Sequence, residues 1–248
     1  MKKIYIDAGH GGYSTGATYK GRKEQDDCLR LAKAVKALLD TQQDIEVRLS
    51  RETDINPSIS QRTSEANSWG ADYFISIHRN AVSPNVANGV EGWCYSKIEK
   101  GGVTYNYAKN IVDKICEATG FNNRGIRLGA PNYTDFGVNR MTKMSSVLLE
   151  AGFIDSDKDN MIFDTAFSEM ALAIAKALTE NVGLTYNVPV IKGDADGDGK
   201  VTAADARLIL RASVGLESID LSAGDMDSDG KITANDAREA LKKSVEGE

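Results

Sequence analysis

The sequence predicts an α/β domain followed by a small all-α domain built on a duplicated loop and helix. Three observations carry this. Across the first 183 residues, short apolar or alternating runs take turns with segments of helical spacing, an order that favours a largely parallel or mixed sheet. From Gly193 onward a stretch recurs: GDADGDGKVTAADARLIL at 193–210 returns 31 residues later as GDMDSDGKITANDAREAL at 224–241. Charge divides at the same place, because residues 193–248 hold 13 acidic against 7 basic side chains and so account for the whole formal charge of −6.

Each element has its own signal. KKIYID, IEVRLS, DYFISI, GVEGWCYS and SVLLE read as strands, being short and apolar or alternating with period two. Residues 24–40, 58–68, 104–119 and 159–181 carry apolar residues at helical spacing. In the first of these Glu24, Cys28, Leu31 and Val35 share a face; in the third Ala108, Ile111, Ile115 and Cys116 do. LTYNVPVIK, around Pro189, reads as a linker, so the expected organisation is a domain over 1–183, a linker over 184–192 and a second domain over 193–248.

Composition removes several function classes. No window approaches the roughly 18 to 20 consecutive apolar residues of a membrane span. The first part carries 23 acidic and 23 basic residues, without the basic excess that binding nucleic acid requires. Cys28, Cys94 and Cys116 form an odd, widely spaced set that suits core packing better than a disulfide framework. MKKIYIDAG enters a strand directly, without the apolar segment of a signal peptide, so two expectations stand: an export route other than a leader, lysis of a host or mother cell included, or a leader trimmed away and replaced by the start methionine.

The chain has two histidines, and both follow strands: His10 in IDAGHGG after the first, His78 in FISIHRNA after the third. If the strands run parallel, His10, His78 and Glu150 at the end of SVLLE emerge at one rim of the sheet, where ligands of α/β proteins gather. Glycines flanking His10 let the backbone turn sharply off its strand. Glu24 points to the buried side at a helix start, where a carboxylate needs a partner. Two imidazoles and one carboxylate, with a fourth position left to water, form a catalytic zinc set, and His10, Glu24 and His78 match it. Asp26 turns away from Glu24 by about 200°, whereas Asp27, about 300° round, stays a rival ligand. Glu150 on the same rim suits the role of base toward a zinc-activated water, and the chemistry points to amide hydrolysis.

IDAGHGG, Glu24 at a helix start, SRETD at 50–54, the R-x-x-x-A-N of Arg62 to Asn67, DYFISIHRNA and VLLEAGFIDS occur in the order seen in zinc-dependent N-acetylmuramoyl-L-alanine amidases of the amidase 3 family. Residues 3–182 resemble that family. The resemblance implies a twisted mixed sheet flanked by helices, one zinc ion on His10, Glu24 and His78, and Glu150 as catalytic acid/base. It also implies cleavage of the peptidoglycan amide between the lactyl group of muramic acid and the first L-alanine of the stem peptide, at the bacterial cell wall or outside the cell. Two positions depart from the family pattern: Cys28 stands where Asn is usual, and Arg79 where a small residue usually follows the zinc histidine. Arg124 and Arg127 in NNRGIRLG, and Arg140 before the Glu150 strand, read individually as loop charges and together as candidates for holding stem-peptide carboxylates. The rival readings are a zinc peptidase or carboxypeptidase on the stem peptide, and an inactive scaffold or wall-binding protein.

In the acidic repeat, Asp194, Asp196, Asp198, Gly199 and Asp205 occupy positions 1, 3, 5, 6 and 12 of a calcium loop, and Asp225, Asp227, Asp229, Gly230 and Asp236 repeat the set. Lys200 and Lys231 would add backbone carbonyls, giving two calcium ions. A helix follows each loop, and position 12 is Asp where common EF-hands carry Glu. Residues 193–246 therefore resemble type I dockerin domains, which implies a calcium-folded module that plugs into a cohesin, with Ala203, Ala204, Ala234 and Asn235 at the loop positions that set partner choice. A calcium-stabilised or wall-targeting appendage is the alternative.

Overall fold

In the computed structural model, residues 1–131, 134–187, 190–197 and 199–246 are described, and the chain divides into two units, Met1–Tyr186 and Asn187–Glu248. Pro189 and Asp198, named above for the linker and the first calcium loop, lie outside the described residues.

In the first unit the elements run β1 (Lys2–Ala8), β2 (Thr18–Tyr19), β3 (Arg22–Lys23), α1 (Glu24–Leu39), β4 (Ile45–Leu49), α2 (Ile59–Trp69), β5 (Tyr73–Asn80), β6 (Val90–Cys94), α3 (Val103–Thr119), β7 (Asn123–Leu128), α4 (Gly137–Arg140), β8 (Ser145–Phe153), α5 (Asp157–Thr165) and α6 (Phe167–Asn181). The main sheet has the order β4-β1-β5-β8-β6-β7. Strands β4, β1, β5 and β8 are parallel, β6 is antiparallel to β8, and β7 is parallel to β6. The sheet is thus mixed with helices on both faces. The chain leaves β1 toward β4 and later returns to β5 on the other flank of β1, so the carboxyl ends of β1 and β5 mark the point where strand order reverses and a crevice opens.

Alternation along the strands separates the two faces. Ile4, Ile6, Tyr73, Ile75, Ile77, Val147 and Leu149 point into the larger core with residues of α1, α3 and α6. Tyr5, Phe74 and Leu148 point the other way, against Ala66 of α2 and Val138 of α4. His78 and Glu150 fall on this second phase, while Arg79 falls on the first.

Two elements differ from expectation. The helix expected over 159–181 is two helices: α5 starts on a Ser156 cap, and the backbone leaves helical geometry at Ala166 (φ −112°, ψ 32°) before α6 begins. NNRGIRLG forms the edge strand β7, pairing with β6 alone; its charges face outward and mask the alternation, while Ile126 packs on the core. Arg140 ends the short helix α4 and is exposed. The three cysteines are free thiols, Cys28 and Cys94 buried and Cys116 half-buried against the core.

The second unit holds α7 (Ala203–Ser213), α8 (Leu221–Gly224) and α9 (Ala234–Glu246). Its core is small: Ala206 and Ile209 of α7 meet Ala237 and Ala240 of α9, with Ala195, Ile219, Met226 and Ile232 around them.

Candidate active site

Beyond β1 the backbone turns through Gly9, His10, Gly11 and Gly12, with His10, Gly11 and Gly12 at positive φ (57°, 125° and 55°). For His10 this left-handed conformation is uncommon and is held by surrounding bonds. Gly11 and Ser14 exchange backbone hydrogen bonds, closing the turn. His10 Nδ1 lies 3.1 Å from Ser14 Oγ. When Nδ1 carries the proton and donates it to Ser14, the Nε2 lone pair is free for a metal.

Glu24 opens α1 and is buried. Its Oε1 lies 3.1 Å from His10 Nε2 and 2.8 Å from His78 Nδ1, and accepts the Arg79 backbone N–H at 3.1 Å. Its Oε2 accepts the Ala17 N–H at 2.8 Å. Burial alone would raise the Glu24 pKa; the hydrogen bonds from both histidines outweigh it and hold the carboxyl well below the usual range. His10, Glu24 and His78 each offer a ligand atom within 4.8 Å of the others. Asp27, the rival ligand, is instead bound by Arg22 Nε at 2.7 Å and Arg79 Nη1 at 2.5 Å.

Glycine makes this approach sterically feasible. A Cβ on Gly9 would stand 2.5 to 2.8 Å from three ring atoms of His78, and one on Gly16 would stand 2.4 Å from Glu24 Oε2 and 2.6 Å from His10 Cδ2. The three side chains line a cavity of about 650 Å³ together with Asn80, Arg62 and Glu150, and Pro57, Ile59, Phe136, Val138 and Leu148 add apolar lining. Glu150 is in register with His78 across the β5–β8 ladder, and its buried Oε2 has no hydrogen-bond partner. Burial, then the Glu24 and Glu91 carboxylates, push its pKa well above the ordinary value, against the opposing charge of Arg79.

A family model described as N-acetylmuramoyl-L-alanine amidase matches residues 4–180. The chain belongs to this amidase family. The amidase is 35% identical over 218 residues to the N-acetylmuramoyl-L-alanine amidase CwlM of Bacillus licheniformis, spanning 84% of this chain and 82% of that protein. It is 33% identical over 220 residues to the sporulation-specific N-acetylmuramoyl-L-alanine amidase of Bacillus subtilis (strain 168), with 84% and 82% covered. The catalytic domain of CwlV, an N-acetylmuramoyl-L-alanine amidase from Bacillus (Paenibacillus) polymyxa var. colistinus, superposes with a TM-score of 0.67 at 32% identity, covering 75% of this chain and all of that one. A second model, the dockerin type I domain, matches residues 192–245 of the amidase.

The arginines expected at the substrate stand outside the cavity lining. Arg124 Nε and Arg127 Nε both donate to Glu91 Oε2, at 2.8 and 3.1 Å, and Glu91 Oε1 accepts from Asn80 and the Trp93 indole. Glu91 is in register with Glu150 across β6–β8. Sequence reasoning did not single out Glu91, Ser14, Asp7 or Arg51. The last two are buried: Asp7 accepts from Arg62 Nη1 and Ser76 Oγ, and Arg51 donates to backbone carbonyls of the His10 turn. Asp7 lies within IDAGHGG, Arg51 within SRETD, Arg62 at the head of the R-x-x-x-A-N stretch and Ser76 within DYFISIHRNA.

In the second unit the loop acids gather as expected of calcium ligands. Asp194, Asp196 and Asp205 offer oxygens within 4.8 Å of one another, as do Asp225, Asp227 and Asp229. Asp205 and Asp236 are fully buried and accept backbone N–H groups from their own loops: Ala195, Asp196 and Thr202 for Asp205, Met226, Asp227 and Thr233 for Asp236.

Proposed function

We propose that this amidase cuts the amide between the lactyl carboxyl of N-acetylmuramic acid and the L-alanine of the stem peptide, using one zinc ion held by His10 Nε2, Glu24 and His78 Nδ1. The observation that carries the proposal is the convergence of two imidazoles and one carboxylate in one cavity with Glu150, whose buried Oε2 has no hydrogen-bond partner. The donor set fits the metal: separations of 2.8 and 3.1 Å lie near the roughly 3.3 Å edge of a tetrahedron with zinc bonds of 2.0–2.1 Å. Zinc, when bound, supplies a Lewis acid and lowers the pKa of bound water toward about 7.

The protein does the rest. Ser14 fixes the His10 tautomer, and Ala17 and Arg79 backbone groups orient Glu24. Glu150 takes the proton of the attacking water on its carboxylate and returns it to the departing nitrogen, so that L-alanine leaves as an amine. Ile59, Phe136 and Leu148 give the cavity apolar lining next to these polar groups. Arg124 and Arg127, fixed through Nε on Glu91, and Arg140 are proposed contacts for stem-peptide carboxylates.

For residues 193–248 the proposal is a dockerin module with two calcium ions, on Asp194, Asp196, Asp198, Lys200 O and Asp205, and on Asp225, Asp227, Asp229, Lys231 O and Asp236. Its partner would be a cohesin, holding the enzyme on a scaffold at the wall or outside the cell. Digestion of purified sacculi tests the enzymatic reading. Free lactyl carboxyls and intact stem peptides are the expected products; shortened peptides with the lactyl amide uncut would make it a peptidase instead.

A further inference from the structure

Glu24 bridges both histidines, yet it sits at the end of a helix with no side-chain cap: the residue before α1, Lys23, makes no capping bond. A helix end of this kind frays unless something else holds it. The backbone N–H groups of Glu24 and Gln25 are taken up by Ala17 O at 3.0 Å and Thr15 O at 3.1 Å, and two buried arginines add links to this first turn, one from each histidine's side.

Arg51, just past β4, is 2% exposed. Its Nε donates to Ala8 O at 3.0 Å, and its Nη2 donates to Gly9 O at 2.8 Å and Gln25 O at 2.7 Å. Nη1 reaches Thr53 O at 3.2 Å. One guanidinium therefore joins the strand end that carries His10 to the first turn of α1. These acceptors are backbone carbonyls, so the fork reads chain position and not side-chain identity.

Arg79 makes the corresponding link on the other flank. It follows His78, and strand alternation sends it to the opposite face of the sheet, where α1 and α5 pack. It is fully buried. Nη1 donates to Asp27 of α1 at 2.5 Å, Nη2 to Asn160 of α5 at 2.7 Å, and the guanidinium carbon lies 4.1 Å from the centre of the Phe163 ring. Asp27 is held a second time by Arg22. Arg79 thereby ties the strand that carries His78 to the same first turn that Arg51 ties to His10.

We infer that Arg51 and Arg79 are positioning residues for the metal site: they clamp the first turn of α1 from both sides and set where the Glu24 carboxylate stands relative to His10 and His78. The inference rests on the zinc reading above. It also gives a role to Arg79, a position where the chain departs from the family pattern, since the Asp27–Arg79 pair forms a link that a small residue cannot make. A burial cost accompanies it, because a guanidinium taken out of water needs every donor used.

The test is zinc affinity of the full chain, measured by competition with a chromophoric chelator, together with the visible absorption of the cobalt-substituted protein, which reports ligand geometry without turnover. Arg51→Met, Arg79→Met and Asp27→Asn should each weaken zinc binding about 10- to 100-fold and alter the cobalt spectrum. Arg51→Lys and Arg79→Lys keep the charge but not the fork, should fold where the Met variants do not, and should also lose affinity, by at least fivefold. Lysine variants with wild-type far-ultraviolet dichroism, zinc affinity and cobalt spectrum would overturn the clamp. Absence of zinc binding by the wild-type chain would instead overturn the zinc reading, which keeps the two failures distinct.

Discussion

His78 and Glu150 stand directly opposite each other on the parallel strands β5 and β8, so the imidazole and the carboxyl rise from one rung of the sheet. That spacing is set by the ladder and does not depend on loops. A carboxyl with a buried, unpartnered oxygen and a raised pKa is poor at stabilising a fold and suited to passing a proton. Glu150→Ala is expected to keep zinc at wild-type stoichiometry and to lower kcat on peptidoglycan by about 10²- to 10⁴-fold. Near-normal turnover in that variant would place the base elsewhere.

Gly9 offers a steric test of the same rung. Its φ is not in the left-handed region, so alanine is tolerated by the backbone, but the added Cβ meets the His78 ring at 2.5 to 2.8 Å. The ring has to rotate away from Glu24. Gly9→Ala should therefore lose most of its zinc affinity while the metal-free protein stays folded, destabilised by about 1 to 3 kcal/mol of local overpacking. Unaltered zinc titration would show that the ring has another place to go.

Much of this arrangement was legible in the sequence, and the reason is topological. His10, His78 and Glu150 follow or end apolar runs, so parallel pairing alone brings them to one rim. Glu24 was legible because helical spacing put it on the buried face with Cys28 and Leu31. The clustering of acids in the two loops of the second unit was legible because glycine and alternating aspartates recur at fixed offsets. What stayed hidden was what depends on distant partners. Nothing near Arg51 in the chain indicates that its guanidinium binds carbonyls of residues 8, 9 and 25. Arg124 and Arg127 read as loop charges because an edge strand exposes one side, and their engagement by Glu91 lies more than 30 positions away.

Acid should loosen the first unit through Asp7. The carboxyl is buried, which alone would raise its pKa, but Arg62 and the Ser50 and Ser76 hydroxyls hold it below the ordinary range. A depressed folded pKa contributes stability that is present above the unfolded value of about 3.9 and is lost as pH falls through the folded one. Arg62 also donates to the carbonyls of Ala8 and His10, so protonating Asp7 weakens the hold on the His10 turn as well. Melting temperature of the metal-free protein is expected to hold between about pH 7 and 5 and to fall below about pH 4. Asp7→Asn should be destabilised at neutral pH by on the order of 3 kcal/mol, with a shallower acid slope. An identical slope in both proteins would assign the acid transition to other carboxylates.

The second unit should depend on calcium for its fold. Its core rests on Ala206, Ile209, Ala237 and Ala240, too little apolar surface for a segment of this size to hold itself together without a metal or other cross-link. The loops compensate only in part. Asp205 and Asp236 take up backbone N–H groups, and Asp194 and Asp225 draw Gly199 and Gly230 inward at 2.9 and 2.8 Å, leaving clustered carboxylates that repel one another unless a cation lies between them. Ion binding therefore supplies folding free energy. Calcium titration of the chelator-treated chain should show two sites and a gain of helical dichroism from α7 and α9, while the activity restored by adding zinc is the same with and without calcium. Asp205→Ala should remove the first site and Asp236→Ala the second, each lowering the calcium-dependent melting transition. The melting curve in chelator is the deciding measurement: a second unit that melts at the same temperature with and without calcium would mean that its small core suffices alone, and the loops would then be acidic turns with no folding role.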